Sequence, residues 1–218
     1  MEDRIILIDK PAGMSSFGVV AKVRGHLKAE FGHKVKVGHT GTLDPFATGL
    51  LILLSGKNTK KSNEFLKLDK VYGATIKLGS VSSTGDPEGE IVEKGDRNID
   101  LKEIQDTLKQ FTGEIEQKPP KFSAIKIDGQ RAYKLARKGQ DFEMPSRKVV
   151  IYKIEILEYE YPILKIRCHV SSGTYIRTLA EDIGEKLGVG AYCLELRRLK
   201  IGDYDIKNAE KLEKYLTT

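Results

Sequence analysis

The 218-residue sequence has no tryptophan, two cysteines and seven prolines. Two cysteines, Cys168 and Cys193, are too few for a disulfide scaffold. A single bridge is conceivable, but two buried thiols in a reducing compartment fit better. There is no C-x-x-C, and His26, His33, His39 and His169 lack finger or H-E-x-x-H spacing, so no metal is expected. No apolar stretch approaches the roughly 18 residues that a membrane span needs. The first ten residues carry Glu2, Asp3 and Arg4 ahead of a short apolar run, which is too acidic for a signal peptide. With 7% aromatic residues the chain does not resemble an aromatic-rich single-strand platform. Nor is its charge one-sided. Lys plus Arg number 37 against 31 Asp plus Glu, a net +6 that fits a nucleic-acid partner without requiring one. A cytoplasmic protein without metal, cofactor or membrane contact is the expectation.

What is present is enough apolar material for a core, 39% of the residues, with 21 glycines. No repeat, low-complexity tract or linker divides the chain, so a single domain over residues 1–218 is expected. Ile5–Ile8 reads as a short strand. Ser15 or Ser16 caps a helix with Val20, Val23, Leu27 and Phe31 on one face. Val35–Val37 reads as extended, and the apolar run Leu50–Leu54 follows a glycine- and threonine-rich loop. Tyr72, Ala74, Ile76 and Leu78 alternate as in a half-buried strand. Asp100 with Glu103 opens a helix burying Leu101, Ile104, Leu108 and Phe111, stopped by Gly113. Phe122–Ile127 reads as a strand entering an Asp128–Gly129 turn, and Arg131–Lys138 as a short basic helix. Val149–Tyr159 and Leu164–Val170 suggest a long antiparallel pair. Ser171–Thr174 opens a further helix, Tyr192–Leu199 is a strand, and Asn208–Tyr215 a last short helix. The mixture lacks regular βαβ alternation. It predicts an α+β fold with a mixed, mainly antiparallel central sheet flanked by helices.

The segment from Gly38 to Gly49 holds His39, three threonines and Asp44 followed by Pro45, just before the apolar run. Pro45 disfavours the helical region at Asp44, so a rigid loop would present the carboxylate as nucleophile or base. From composition alone an ordinary Asx-Pro turn is the favoured reading. Arg177, in the first turn of its helix, opposes the macrodipole. Its partner is solvent, a carboxylate such as Asp44, or a phosphate. Tyr72 and Tyr175 are stacking rings or core residues. His39 touches RNA or caps the loop. Basic residues recur at Lys57, Lys60 and Lys61, at Arg131, Lys134, Arg137 and Lys138, at Arg147 and Lys148, and at Arg197, Arg198 and Lys200. Gathered on one side they would bind phosphates.

At these residues the chain resembles the TruB family of tRNA pseudouridine synthases. The shared blocks are Asp9-Lys10-Pro11-x-Gly13-Met14-Ser15-Ser16, then Gly38 to Leu51, Lys70-Val71-Tyr72, and the Thr84–Gly89 turn. Pro119-Pro120 to Tyr133, Ser172 to Leu179 and Leu196-Arg197-Arg198-Leu199 complete them. The resemblance implies a pseudouridine synthase fold and Asp44 as the catalytic aspartate. It implies isomerisation of the T-loop uridine, at the conventional tRNA position 55. The glycosidic bond breaks, the uracil rotates, and it rejoins through C5 without a cofactor, by way of a ribose adduct or a glycal. It further implies that Arg177 pairs with Asp44, and that Tyr72 stacks on the target base. Tyr175 and Leu196 would line the uracil pocket, His39 would sit by the flipped nucleotide, and Lys10 and Pro11 would buttress the loop. A flipped base needs such apolar or aromatic walls. Residues 118–147 would form an excursion that closes over the T-arm of tRNA, with the protein acting as a monomer. Two departures stand out. Fifteen residues follow Asp203, too few for the C-terminal PUA-like domain of many relatives, so a short form without one is expected. Ile52-Leu53-Leu54 also replaces a proline-containing stretch. A different reading is an RNA-binding tRNA-folding chaperone whose basic surface acts without catalysis. A guide-RNA particle is a further one, although its synthases carry extra terminal segments.

Overall fold

The computed structural model describes residues 1–95, 97–123, 125–127 and 129–216. Along the chain lie β1 (Ile5–Lys10), α1 (Ser16–Phe31), β2 (Val37–His39), β3 (Thr48–Ser55), α2 (Ser62–Leu66), β4 (Lys70–Leu78), β5 (Ser80–Ser82) and β6 (Ile91–Glu93). Then come α3 (Leu101–Gln110), β7 (Gly113–Gln117), β8 (Lys126–Ile127), β9 (Gln130–Arg131), α4 (Ala132–Arg137), β10 (Arg147–Glu160) and β11 (Ile163–Val170). The chain closes with α5 (Ile176–Lys186), β12 (Ala191–Ile201), β13 (Tyr204–Asp205) and β14 (Glu210–Lys211). Among the described residues the strands pair mainly antiparallel, so the α+β expectation holds. The chain divides into two compact units, residues 1–73 with 196–218, and residues 74–195.

In the first unit the strand order is β14-β1-β3-β12, with β2 beside β3 and β13 beside β12. β3 is the centre, and all of Gly49–Ser55 is buried. Successive side chains of a strand point to opposite faces. Leu51 and Leu53 therefore join Ile6, Ile8, Val19, Val23 and Leu27 in one cluster. Leu50, Ile52 and Leu54 join Phe65 and Ile201 in another. Each such leucine contributes on the order of 1.5–3 kcal/mol of burial. Ser15 caps α1 as its position predicts, its hydroxyl accepting from Gly18 N at 3.0 Å. Gly32 ends the helix at a left-handed φ of 74° that other residues adopt only with strain.

Past Asp203 the structure departs from the expected helix over 208–215. The segment breaks into two single 3-10 turns around β14, which pairs in parallel with β1 through Ile8↔Glu210 and Asp9↔Lys211. A stretch this short gains too little from helix propagation to outweigh a ready strand edge.

In the second unit the order is β4-β11-β10-β7. The predicted antiparallel pair is β10 and β11, and Leu164, Ile166, Cys168 and Val170 share the buried face. Asp100 caps α3, accepting from Glu103 N at 2.8 Å. Ile104 and Leu108 point inward, but Leu101 is exposed, and Gly113 opens β7 rather than stopping the helix. β7 escaped prediction because Glu114 and Glu116 make it polar. It lies beside β10, where Lys148 meets Glu114 at 2.8 Å. Instead of the longer strand expected over Phe122–Ile127, only β8 and β9 pair. Ala124 and Asp128, both part of that reading, lie outside the described residues. α4 forms as read, burying Ala132 and Leu135, with Lys126, Arg131, Lys134, Arg137 and Lys138 exposed.

Gly184 lies inside α5, where alanine normally stabilises by about 1 kcal/mol. A Cβ there would stand 2.2 Å from Ala191 N and 2.4 Å from Gly190 C. Gly184→Ala should therefore destabilise the protein, by about 1–3 kcal/mol, because overpacking outweighs propensity. Urea denaturation of the two proteins checks the sign, and a more stable alanine variant would refute the packing argument.

Candidate active site

Asp44 lies in the first unit on the loop between β2 and β3, half-buried beside the exposed Thr42. The peptide on each side of it is held. Leu43 is bracketed by Ser16, whose hydroxyl donates to Leu43 O at 2.9 Å and accepts from Leu43 N at 2.8 Å. Pro45 O accepts from Gly13 N at 2.8 Å and from the Lys10 ammonium at 3.1 Å. Ala47 N donates to Asp44 O at 3.2 Å, closing a turn with Pro45 at its second position. The loop thus has the turn geometry of the plain reading and the rigidity of the functional one.

Lys10 is fully buried at the end of β1. Besides Pro45 O, its ammonium donates to Pro11 O at 2.8 Å and to Met14 O. A buried cation is tolerated only with such hydrogen bonds. Lys10 thus ties Pro11 to the Asp44 loop. Asp9, the residue before, faces Arg197. Two parallel hydrogen bonds of 3.0 and 2.9 Å join them, and Lys211 adds one of 3.1 Å. Burial pushes the Asp9 carboxyl up, but these hydrogen bonds outweigh it and hold the carboxyl below its ordinary range.

His39, at the end of β2, is mostly buried. Its Nδ1 accepts from Gly41 N at 3.4 Å, which leaves the proton of the neutral ring on Nε2. Burial first, and then the Arg198 charge, lower its pKa from the ordinary value and favour the neutral ring. Tyr72 on β4 and Leu196 on β12 are both buried. Leu196 O accepts from Thr48 Oγ1 at 3.4 Å, at the foot of β3. Burial, with Arg198 adding to it, pulls the Lys70 ammonium down to about 8.

The other two sequence-predicted residues belong to the second unit. Tyr175 caps α5 without a side-chain bond of its own. Its main chain is pinned instead by Gln117 on β7. The amide accepts from Tyr175 N at 2.8 Å and donates to Tyr175 O at 3.0 Å. The Arg147 guanidinium lies 4.8 Å from the centre of the Tyr175 ring and donates to Gly173 O. Arg177 is buried in the first turn of α5, so the solvated reading fails. Within its own unit it donates to Asp86 Oδ2 at 2.8 Å, to Thr84 O at 2.9 Å and to Phe122 O at 2.9 Å. Asp86 is itself buried and also accepts from Thr84 Oγ1 at 2.6 Å and Glu88 N at 3.1 Å. A buried ion pair needs further hydrogen bonds to be stable, and Thr84, Glu88 and Phe122 supply them here. One turn along α5, burial pushes Glu181 up to about 7 against the pull of Arg177.

The model of the TruB family pseudouridylate synthase N-terminal domain matches residues 27–176. That of the tRNA pseudouridylate synthase B C-terminal domain matches residues 177–217. A tRNA pseudouridine synthase B of Aquifex aeolicus is 45% identical over 99% of this chain and 74% of its own length. The chain belongs to the TruB family of pseudouridylate synthases. A second TruB relative, the tRNA pseudouridine synthase B of Phocaeicola vulgatus, is 44% identical over 98% of this chain and 92% of its own. Among solved structures, a Cbf5–Nop10–Gar1 complex contains a chain that matches with a TM-score of 0.73 and 32% identity. The match covers 97% of this chain but only 53% of that one, so this chain spans about half its length. The α+β expectation is therefore met by a pseudouridine synthase fold. No helix among the described residues is long and apolar enough to cross a membrane. Nor, among them, do three or more His, Cys, Asp or Glu gather in a metal-binding group.

Three residues that hold the candidate site escaped the sequence reading. Asp86 is 91 residues from Arg177, and its only local signal was an acid in a glycine-rich turn. Gln117 gave no signal. Arg198 was misread: grouped with Arg197 and Lys200 as phosphate-binding surface, it is buried under the Asp44 loop. Arg197 turns to Asp9.

Lys10→Met should lower stability by about 1–3 kcal/mol, because main-chain carbonyls lose a buried donor. Thermal unfolding of the pair checks this; an unchanged midpoint would show that water replaces the ammonium. Lys70 carries a pH signature. Its pKa falls from 10.5 to about 8 in the fold, so the unfolded chain binds more protons between those values. Its contribution to stability should then rise as pH climbs through that window. Urea unfolding of wild type and Lys70→Met from pH 7.5 to 10.5 should show wild type gaining on the variant. Parallel curves would contradict it.

Proposed function

We propose that this protein makes pseudouridine in the T loop of tRNA, at the conventional position 55, with Asp44 as the reacting carboxylate. The observation that carries the reading is the Asp44 loop itself. A single carboxylate stands on a turn whose flanking peptides are tied by Ser16, Lys10 and Gly13. Rigid placement of one reacting group is what an isomerisation without external reagents requires. The reaction is balanced within the substrate. The C1′–N1 bond breaks, the uracil turns, a C1′–C5 bond forms, and the C5 proton moves to nitrogen. Relatives at about 45% identity carry the name tRNA pseudouridine synthase B, which supports tRNA as the substrate.

The roles are those that the resemblance to the TruB family implies. Tyr72 stacks on the target base, while Tyr175 and Leu196 line the uracil. His39, held neutral by burial, meets the flipped nucleotide by hydrogen bonding without adding a cation. Arg177, with Asp86 fixing its guanidinium, supplies positive charge on the reacting side. Residues 118–147 act as the RNA-closing excursion of one catalytic domain, with the exposed basic face of α4 toward the T-arm phosphates. The protein works as a monomer in the cytoplasm, where its substrate is, without cofactor or metal.

Asp44→Asn should abolish product while leaving folding and tRNA binding intact. Unmodified tRNA transcript treated with carbodiimide and read by primer extension should show one new stop in the T loop with wild type and none with the variant. Appreciable product from Asp44→Asn would sink the assignment. Affinity for the transcript should fall as salt rises, because phosphate contacts release counterions. Salt-independent binding would exclude the basic face as the contact.

A further inference from the structure

Arg198 has an environment that its place in the sequence gave no reason to expect. It lies on β12, 1% exposed, opposite Gly49 in the parallel pairing of β12 with β3. Its side chain runs beneath the Asp44 loop and meets both of that loop's stems. Nε donates to Leu50 O at 2.8 Å, after the loop. Nη2 donates to Gly41 O at 3.1 Å and Nη1 to Thr42 O at 3.4 Å, before it. Among the described residues the acceptors are all main-chain carbonyls. The planar fork of the guanidinium suits this, because it holds several donors in fixed relative directions, which an ammonium does not.

The main chain of Arg198 is equally committed. Gly49, at φ +100°, comes so close that a Cβ on it would stand 2.3 Å from Arg198 O and 2.7 Å from Arg198 N. One residue thus touches the loop's root with its backbone and spans its two stems with its side chain. Ser16 and Lys10 hold the peptides next to Asp44, through Leu43 and Pro45, whereas Arg198 holds Gly41, Thr42 and Leu50. Without Arg198 those three carbonyls would lose the side-chain donor they share, and the loop could relax as a body about its nearer anchors.

We propose that Arg198 is a positioning residue for the reaction, a clamp that joins the two stems of the loop and so fixes the direction of the Asp44 carboxylate. The inference rests on the reading of Asp44 as the reacting group. It assigns Arg198 to the loop rather than to RNA phosphate, so its removal should slow the chemical step and spare RNA affinity.

The test compares Arg198→Met, Arg198→Lys and Asp44→Asn with wild type, in single-turnover assays on unmodified tRNA transcript and in filter binding. Misplacement of a reacting group by about 1 Å costs on the order of a hundredfold, so Arg198→Met should lose roughly that much in rate. Its affinity for the transcript should stay within about threefold, since uniform binding is not what the residue supplies. Arg198→Lys keeps the charge and reaches fewer of the carbonyls, so its rate should fall between the two. His39 gives a readout without RNA. Its ring should titrate at higher pH in Arg198→Met by NMR, while in Asp44→Asn, whose clamp is intact, the two stems should keep their amide shifts.

A wild-type rate in folded Arg198→Met would overturn the proposal. So would a loss of affinity as large as the loss of rate, which would make the residue a phosphate contact. If Arg198→Met does not fold, Arg198→Lys decides, and a wild-type rate in that variant overturns the clamp. Product from Asp44→Asn would instead remove the reading of Asp44. An inactive Asp44→Asn beside a fully active Arg198→Met would remove only the clamp.

Discussion

Main-chain carbonyls taken out of water must find donors, and the loop that carries Asp44 turns this constraint into architecture. Its carbonyls at Gly41, Thr42, Leu43, Pro45 and Leu50 all accept protein hydrogen bonds, and three buried side chains, Lys10, Ser16 and Arg198, supply most of the donors. A loop built from main-chain interactions tolerates changes of its own side chains and depends heavily on those distant donors. The arrangement also sets the local electrostatics. Burial first, and then the positive charge that Arg198 brings into the interior, make His39 and Lys70 hold their protons less firmly.

The second unit solves a similar problem differently. There a cation is placed in a first helical turn, where the macrodipole opposes it, and a buried carboxylate offsets the cost. Asp86 is held by a turn, Arg177 by a helix, and Gln117 ties the start of that helix to a strand. Positioning here combines a buried ion pair with side-chain bonds to the main chain at Thr84, Phe122 and Tyr175. The two units therefore differ in what they tolerate. In the first, a donor can be exchanged only for another donor of similar reach. In the second, removing either member of the Asp86–Arg177 pair takes an ion-pair partner from a buried charge.

Much of this was legible in the sequence, and the boundary has a physical explanation. Elements specified within a few residues were read correctly. α1 announces itself by Ser15, α3 by Asp100 and Glu103, and β10 and β11 by their length and alternation. The Asp44 loop was legible because proline and glycine constrain their own neighbourhood. What failed depends on partners far along the chain. β7 is a strand because β10 lies beside it. The terminal helix over 208–215 became a strand between two 3-10 turns because β1 had a free edge there. The basic residues show the same boundary. Nothing near Arg198 distinguishes it from Lys200, yet a glycine 149 residues earlier decides that it is buried.

β3 adds a consequence that reaches beyond the site. A strand with one apolar face carries its own register, because a slip of one residue would turn that face to water. β3 has no such safeguard, since Leu50 through Leu54 are apolar on both sides and either cluster would accept the other set. Its alignment must come from its ends. At one end stand the close approach of Gly49 to Arg198 and the hydrogen bond of Thr48 to Leu196. At the other, the buried Ser55 exchanges hydrogen bonds with Arg4, its N donating to Arg4 O at 3.0 Å and its Oγ accepting from Arg4 N at 2.9 Å. The contacts that fasten the Asp44 loop therefore also serve as the ruler by which the central strand is laid into the sheet, so that the loop's placement and the strand's register depend on the same few atoms.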